Sequence, residues 1–425
     1  MIRPTPTWRA AAALAAVSLV LTACGSDSDS GSDKKSDGGD SSAAAKGDGT
    51  LTIGTLLPQT GDLAFLGPPE FAGVQAAVNE INEAGGVDGK KIVKIDSDSG
   101  DGTPDIAGAS VDKLLAQDAD VIVGAASSNV SKSVIDKITG AGVVQFSPAN
   151  TAAGFDEYPD KGLYFRTAPS DVLQGKVVAN LAVQDGNKNV AVLARQDFYG
   201  EGLADSAAKN LEAGGATVTD KILYNAEAEN FTAEVNQIAA NKPEAIILVA
   251  FDETAKIIPQ LVAKGMGPQD IKIYMVDGNL SNTNYAKADY DLAGQKGTSP
   301  APANPDPGFN KELEAIDPKI EDFTYSTESY DAVVISALAA LAAGDDSGEA
   351  IGTEIINVTK DGTQCSGWEE CSKLVEGGED IDYEGKSGPT DMNDTGSLAK
   401  GTIGIFEYKK GNTYEQIDSV TGLVE

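Results

Sequence analysis

An α/β fold with two doubly wound lobes is the class this sequence predicts, and three observations carry the prediction. Short β-rich apolar runs alternate with segments of helical period for most of the chain, the pattern of βα units in mainly parallel sheets. The alternation restarts around Arg166-Thr167-Ala168-Pro169-Ser170 with no low-complexity linker between the halves. A Pro- and Ala-rich stretch, Thr298–Pro307, then breaks the pattern before two further helical segments. The chain therefore passes between the lobes more than once, and the hinge contains several strands.

Taken in order, Leu51–Leu57, Lys91–Ile95, Val121–Gly124, Val143–Phe146, Val190–Ala194, Thr217–Leu223, Ala245–Phe251 and Lys272–Val276 read as strands. Between them, Glu70–Glu83, Ile106–Gln117, Ser131–Thr139, Asp171–Gln184, Leu203–Glu212, Thr232–Ala240 and Glu253–Ala263 place apolar residues three and four apart, as one face of a helix requires. Gly85-Gly86 and Gly214-Gly215 supply helix stops. Helices follow at Phe309–Ile316 and Thr327–Ala343, and residues 362–401 read as an acidic, glycine-rich loop. A hairpin of Thr402–Tyr408 and Tyr414–Ser419, turning at Lys410-Gly411-Asn412, closes the chain. The expected lobes are 51–167 with about 298–385, and 168–297 with about 400–425.

The N-terminus carries a different message. Arg3 and Arg9 precede an apolar run, Ala10–Leu21, and Leu21-Thr22-Ala23-Cys24 closes it with small residues before a cysteine. Residues 1–23 thus read as a signal peptide. The set resembles a bacterial lipobox, which implies cleavage before Cys24 and a diacylglycerol on its sulfur. An uncleaved membrane anchor is the alternative, but an apolar run of about a dozen residues falls short of the roughly 20 that span a bilayer. Residues 24–50 contain no large apolar side chain and read as a hydrated tether. The implied location is the outer face of the cell membrane, with contact through the lipid anchor only.

Composition excludes several function classes. A formal charge of −33, deepened by two when Arg3 and Arg9 are cleaved off, disfavours nucleic acid and anionic lipid as partners. The chain has no histidine, which removes the commonest general base and metal ligand. Cys365 and Cys371, six positions apart in an oxidising compartment, are expected to form a local disulfide. The body has neither a Gly-x-Ser-x-Gly elbow nor a phosphate-binding glycine loop. Ser110–Lys113 and Ser206–Lys209 match Ser-x-x-Lys, yet lie in helical patterns without companion motifs. Asp96-Ser97-Asp98-Ser99-Gly100-Asp101 begins like a calcium loop but has Gly100 and Ala107 where ligands are required. No metal, cofactor or catalytic residue is expected, and a hydrolase is the disfavoured enzyme alternative.

Several strings stand together in one order along the body: Ile53-Gly54-Thr55-Leu56-Leu57-Pro58-Gln59-Thr60-Gly61-Asp62, Ala77–Val87, Gly124–Ser128, Phe146–Thr151, Phe165-Arg166-Thr167, Gln174-Gly175, Tyr199–Ala204, Asp277-Gly278, Tyr330-Asp331-Ala332 and Tyr383–Pro389. In this the chain resembles the leucine/isoleucine/valine-binding family of ABC-transporter solute-binding lipoproteins. The resemblance implies a periplasmic binding protein fold of type I, two lobes joined by three crossover strands, here near Thr167, near Gly297 and within Gly385–Gly401. It also implies an amino-acid-like ligand in the cleft and an ABC permease as partner.

The residues that would hold such a ligand stand at strand ends, where open α/β sheets bind. Ser127 and Ser128 follow a strand and precede a helix, so hydroxyls and free N–H groups converge on an anion. The resemblance puts Ser128 on the ligand's carboxylate and the Ala149 backbone and Thr151 hydroxyl on its polar head. It puts Asp277 on the ammonium. Tyr199 and Phe251 are candidates to wall the side-chain pocket. The family commonly has tyrosine where this chain has Phe251, and a larger aromatic can occur where Leu66 stands. The sequence thus reads as a receptor for a branched-chain or other apolar amino acid. A receptor for another small polar solute (an amide, urea or an aromatic acid) and a ligand-sensing subunit for signalling remain the alternatives.

Overall fold

The structure, a computed structural model, describes residues 47–101 and 104–424. The signal segment 1–23, the lipidation candidate Cys24 and the tether as far as residue 46 lie outside the described residues. Gly47 and Gly49 donate their amides to Asp345 and Asp346, which fastens the chain to the body just before the first strand.

The first half runs β1 (Thr52–Leu57), α1 (Gly67–Glu83), β2 (Val93–Asp98), α2 (Pro104–Leu115), β3 (Val121–Gly124), α3 (Ser128–Gly140), β4 (Val144–Ser147) and β5 (Tyr164–Arg166). The pattern then repeats as α4 (Asp171–Gln184), β6 (Asn189–Arg195), α5 (Phe198–Ala213), β7 (Thr217–Tyr224), α6 (Thr232–Asn241), β8 (Ala245–Val249), α7 (Thr254–Ala263), β9 (Lys272–Met275) and β10 (Lys296–Pro300). Three helices, α8 (Pro307–Ile316), α9 (Ser326–Ala343) and α10 (Gly348–Ile355), come next. The chain ends with β11 (Thr363–Cys365), α11 (Gly367–Glu376), β12 (Ile381–Tyr383), β13 (Lys400–Tyr408) and β14 (Tyr414–Leu423).

Two main sheets result. The smaller has the order β2-β1-β3-β4-β5 and is parallel throughout. The larger has the order β14-β13-β10-β9-β8-β6-β7, parallel from β7 to β10 and closed by antiparallel β13 and β14. Both parallel portions share one winding, in which the first strand of the unit lies between the second and the third. Consecutive crossovers on either side of that first strand leave on opposite faces, which opens a crevice at the carboxyl ends. Burial follows from the layering: β1, β3, β4, β5 and β8 are buried along their whole length, as strands covered by helices on both faces must be.

The chain passes between the sheets three times, after β5, after β10 and after β12. Arg166, fully buried at the end of β5, ties the first and third passages together. Its backbone N–H donates to Gly396 and its Nε to Ser397, while Nη1 holds the carbonyls of Asn150 and Ala152 and Nη2 pairs with Asp156. α9 lies against α1, where a Cβ on Gly73 would stand 2.1 Å from the Ser326 carbonyl, so only glycine admits the contact.

Several segments differ from the sequence reading. β5, β10 and α10 were not expected, and α5 begins at Phe198, not Leu203. β2 begins and ends two to three residues later than expected, because as an edge strand it is only partly buried and its apolar alternation is weak, with Val93 44% exposed. α1 begins at Gly67, since Pro68 and Pro69 are suited to a first helical turn. Residues 362–401 are more than a loop: β11 and β12 pair in parallel, α11 lies between them, and Cys365 and Cys371 are joined by a disulfide.

That last region is fastened to the body by Asp331 of α9. Its buried carboxylate accepts from Tyr383 OH (2.8 Å), Lys386 N (2.9 Å), Ser387 N (2.8 Å) and Ser387 Oγ (2.6 Å). Replacing Asp331 by alanine strands the Tyr383 and Ser387 donors in the interior, so Asp331→Ala should destabilise the protein by about 2–4 kcal/mol. A urea-unfolding midpoint equal to that of the parent would contradict this.

Candidate functional site

Each sequence-selected residue lies just beyond the carboxyl end of a strand or at the start of the helix that follows it. Leu66 follows β1, Ser127 and Ser128 follow β3, Ala149 and Thr151 follow β4, Tyr199 follows β6, Phe251 follows β8 and Asp277 follows β9. All eight are buried and line one small cavity, together with Leu63, Ala126, Gly278 and Tyr325. The cavity is bounded by loops of both sheets.

One end of the cavity carries hydrogen-bonding groups without partners. Ser127 is the N-cap of α3 with extended backbone, yet its hydroxyl makes no cap bond and is buried without a partner. The N-terminus of this 13-residue helix therefore keeps free donors and the positive end of its dipole toward the cavity. The Thr151 hydroxyl is likewise buried without a hydrogen bond, and the Ser128 hydroxyl accepts only a long bond from Ala152 N (3.4 Å). The loop carrying Ala149 and Thr151 is rigid, because Asn150 donates to the carbonyls of Ala125 and Ala126 and accepts from Tyr164 OH.

The other end is acidic. Asp277 accepts from Tyr199 OH (2.6 Å) and Gln174 Nε2 (2.6 Å) at Oδ1, and from Tyr325 OH (2.7 Å) at Oδ2. Burial pushes its carboxyl above the usual range, and these three bonds pull it back. Burial also pushes the Tyr199 and Tyr325 hydroxyls well above theirs, so both stay protonated and remain donors. Among the described residues neither Asp277 nor its neighbour Asp171 has an ion-pair partner. Tyr325 and Gln174 escaped the sequence selection. Gln174 is marked only by lying within a matched string. Tyr325 carries no sequence signal, since it is brought in by the left-handed backbone (φ 61°) that opens α9.

The walls between these ends are apolar. Tyr199 and Phe251 stack at 5.5 Å between ring centroids, and the Arg195 guanidinium lies 3.5 Å from the centroid of the Phe251 ring. Arg195 is itself held by Asp197 and Glu253, and Tyr224 OH donates to the same Glu253 oxygen. Gly278 has to be glycine, because a Cβ there would meet the Phe251 ring at 2.7 Å. The Phe251 ring is thus fixed from two sides.

A family model described as periplasmic binding protein matches residues 50–411. Leu/Ile/Val-binding protein homolog 1 of Brucella abortus is 31% identical over 310 residues, covering 70% of this chain and 79% of that protein. The Leu/Ile/Val-binding protein BraC3 of Rhizobium johnstonii is 28% identical over 249 residues, covering 57% of this chain and 65% of that one. Among solved structures, the branched-chain amino acid transporter substrate-binding protein LivJ of Streptococcus pneumoniae, in complex with isoleucine, superposes with a TM-score of 0.72 at 22% identity over 88% of this chain and all of its own. A solute-binding protein of an R. palustris ABC transporter, in complex with 4-hydroxybenzoate, gives 0.71 at 18% identity, over 87% of this chain and 97% of its own.

Asp277→Asn keeps the size of the side chain but removes the charge facing the cavity. It should weaken binding of an ammonium-bearing ligand by more than about tenfold, or roughly 1.4 kcal/mol. Titration calorimetry checks this, and an unchanged affinity would remove Asp277 from the site.

Proposed function

The chain belongs to the periplasmic binding protein family, and from that premise we propose that it is an extracytoplasmic receptor that captures an amino acid, branched-chain or otherwise apolar, for an ABC permease. The observation that carries the reading is the polarity of the cavity. Free donors at the start of α3 stand at one end, a buried Asp277 without a cation at the other, and Tyr199, Phe251, Leu63 and Leu66 between. A zwitterion with an apolar side chain complements all three parts. Ligand contacts drawn from both lobes would favour the closed arrangement over an open one, so that binding selects the form a permease meets. No chemical step is assigned to the protein. The names of the Brucella and Rhizobium relatives and the isoleucine bound to LivJ support the same ligand class.

A second reading has its own support. The R. palustris structure holds an aromatic acid, and stacked Tyr199 and Phe251 would suit a flat ring. An aromatic acid, however, brings no positive charge to Asp277, and a buried carboxylate left without a counter-charge is strongly unfavourable. Titration calorimetry with L-leucine, L-isoleucine, L-valine, L-phenylalanine, benzoate and 4-hydroxybenzoate separates the two. The reading predicts saturable binding of at least one amino acid. Binding of the aromatic acids with none of the amino acids would overturn it.

The proposal extends to the anchor. With a diacylglycerol on Cys24, the protein stays with the membrane fraction, and Cys24→Ala should move it to the soluble fraction with its ligand affinity unchanged. A Cys24→Ala protein that stayed on the membrane would contradict the anchor.

A further inference from the structure

Behind Asp277 stands a second carboxylate to which the reading above gives no task. Asp171 is the first residue of α4, fully buried, and neither of its oxygens has a hydrogen-bond partner. One turn further along the same helix, Gln174 donates to Asp277, so the two acids are served by one face of α4. The Asp171 amide donates to the Thr151 carbonyl, which ties the acid to the loop that lines the cavity.

The groups around this pair come from every element packed against it. Arg166 lies toward Asp171 from β5, but its guanidinium is committed to Asp156, Ser397 and two carbonyls. Asp156, in the turn before β5, adds negative charge. Tyr199 of α5 and Tyr325 at the start of α9 face Asp277 as neutral donors. Glu328, further into α9, lies toward Tyr325, and burial lifts its carboxyl to about 7. Lysine is absent from this set, and Asp277 receives three hydrogen bonds where the Thr151 hydroxyl is the side-chain donor that lies toward Asp171. Burial together with the neighbouring Asp277 charge pushes the Asp171 carboxyl well above its usual range.

Two buried carboxylates side by side without a cation hold a proton between them. We propose that the Asp171–Asp277 pair carries one such proton in the empty site and exchanges it for the ligand's ammonium, charge for charge. The carboxyl O–H bond breaks, the proton passes to solvent, and the ammonium keeps all its own hydrogens. The pair together with its bound cation, the proton before and the ammonium after, bears one net negative charge throughout. This inference rests on the amino-acid reading of the cavity and adds a proton to it. Because ligand and proton compete, affinity should rise with pH through the titration range of the free pair, which lies above that of ordinary carboxylates, and level off beyond it.

The test is calorimetry with L-isoleucine in buffers of different ionisation enthalpy, between about pH 5 and 8. Below the pair's titration range the inference predicts close to one proton released per ligand and an affinity rising about tenfold per pH unit. Asp171→Asn, which leaves one acid, should abolish both the release and the slope while still binding. Isoleucine binding by the parent protein with no buffer-dependent heat and a flat pH profile would overturn the inference and leave the amino-acid reading standing. Isoleucine that does not bind at all would remove both. The parent measurement decides even if the variant fails to fold.

Discussion

The central constraint is the burial of Asp277. A carboxylate removed from water loses its hydration, and the loss is tolerable only where other groups take the place of that water. Three uncharged donors do so here, Gln174 from α4, Tyr199 from α5 and Tyr325 from the start of α9. They cover the oxygens without neutralising the charge. The carboxylate is therefore held in place by uncharged donors alone, the arrangement through which the proposed receptor would gain an ammonium with little reorganisation.

Much of the surrounding structure serves that arrangement. Tyr199 points its hydroxyl at Asp277 while its ring stacks on Phe251, and Phe251 is trapped between the Arg195 guanidinium and Gly278. Tyr325 reaches the same carboxylate from a helix packed on the small sheet, so a bond to Asp277 joins the two lobes. At the far end, Arg166 and Asn150 fix the loop of Ala149 and Thr151 relative to two of the interlobe passages. The apolar core also joins the two lobes. Leu63, Leu66, Ala126 and Ala149, carried by loops of the small sheet, belong to the same packed cluster as α4, α5 and one face of the large sheet.

How much of this was legible in the sequence depended on whether the signal was local. Fully buried parallel strands such as Ala245–Val249 announce themselves as unbroken apolar runs, and the residues just past their ends follow at once. Ser127, Ser128, Thr151, Tyr199, Phe251 and Asp277 stand at such ends, the family resemblance supplied the roles of Ser128, Thr151 and Asp277, and the structure brings all six together with Ala149 and Leu66 around one cavity. Non-local partners were not legible. Tyr325 lies 48 positions from Asp277 and meets it only through the path of the second interlobe passage. Asp171 appears in the sequence only as the start of a helical period, and its isolation shows only when its surroundings can be inspected. Residues 362–401 were misread because strands of three residues are too short to show a period.

The cavity is expected to hold a molecule with a carboxylate at one end and an ammonium at the other. Mass spectrometry of whatever the purified protein releases on denaturation tests this most directly. A small α-amino acid is the predicted result, and a co-purified ligand without a basic nitrogen, such as an aromatic acid, would contradict it.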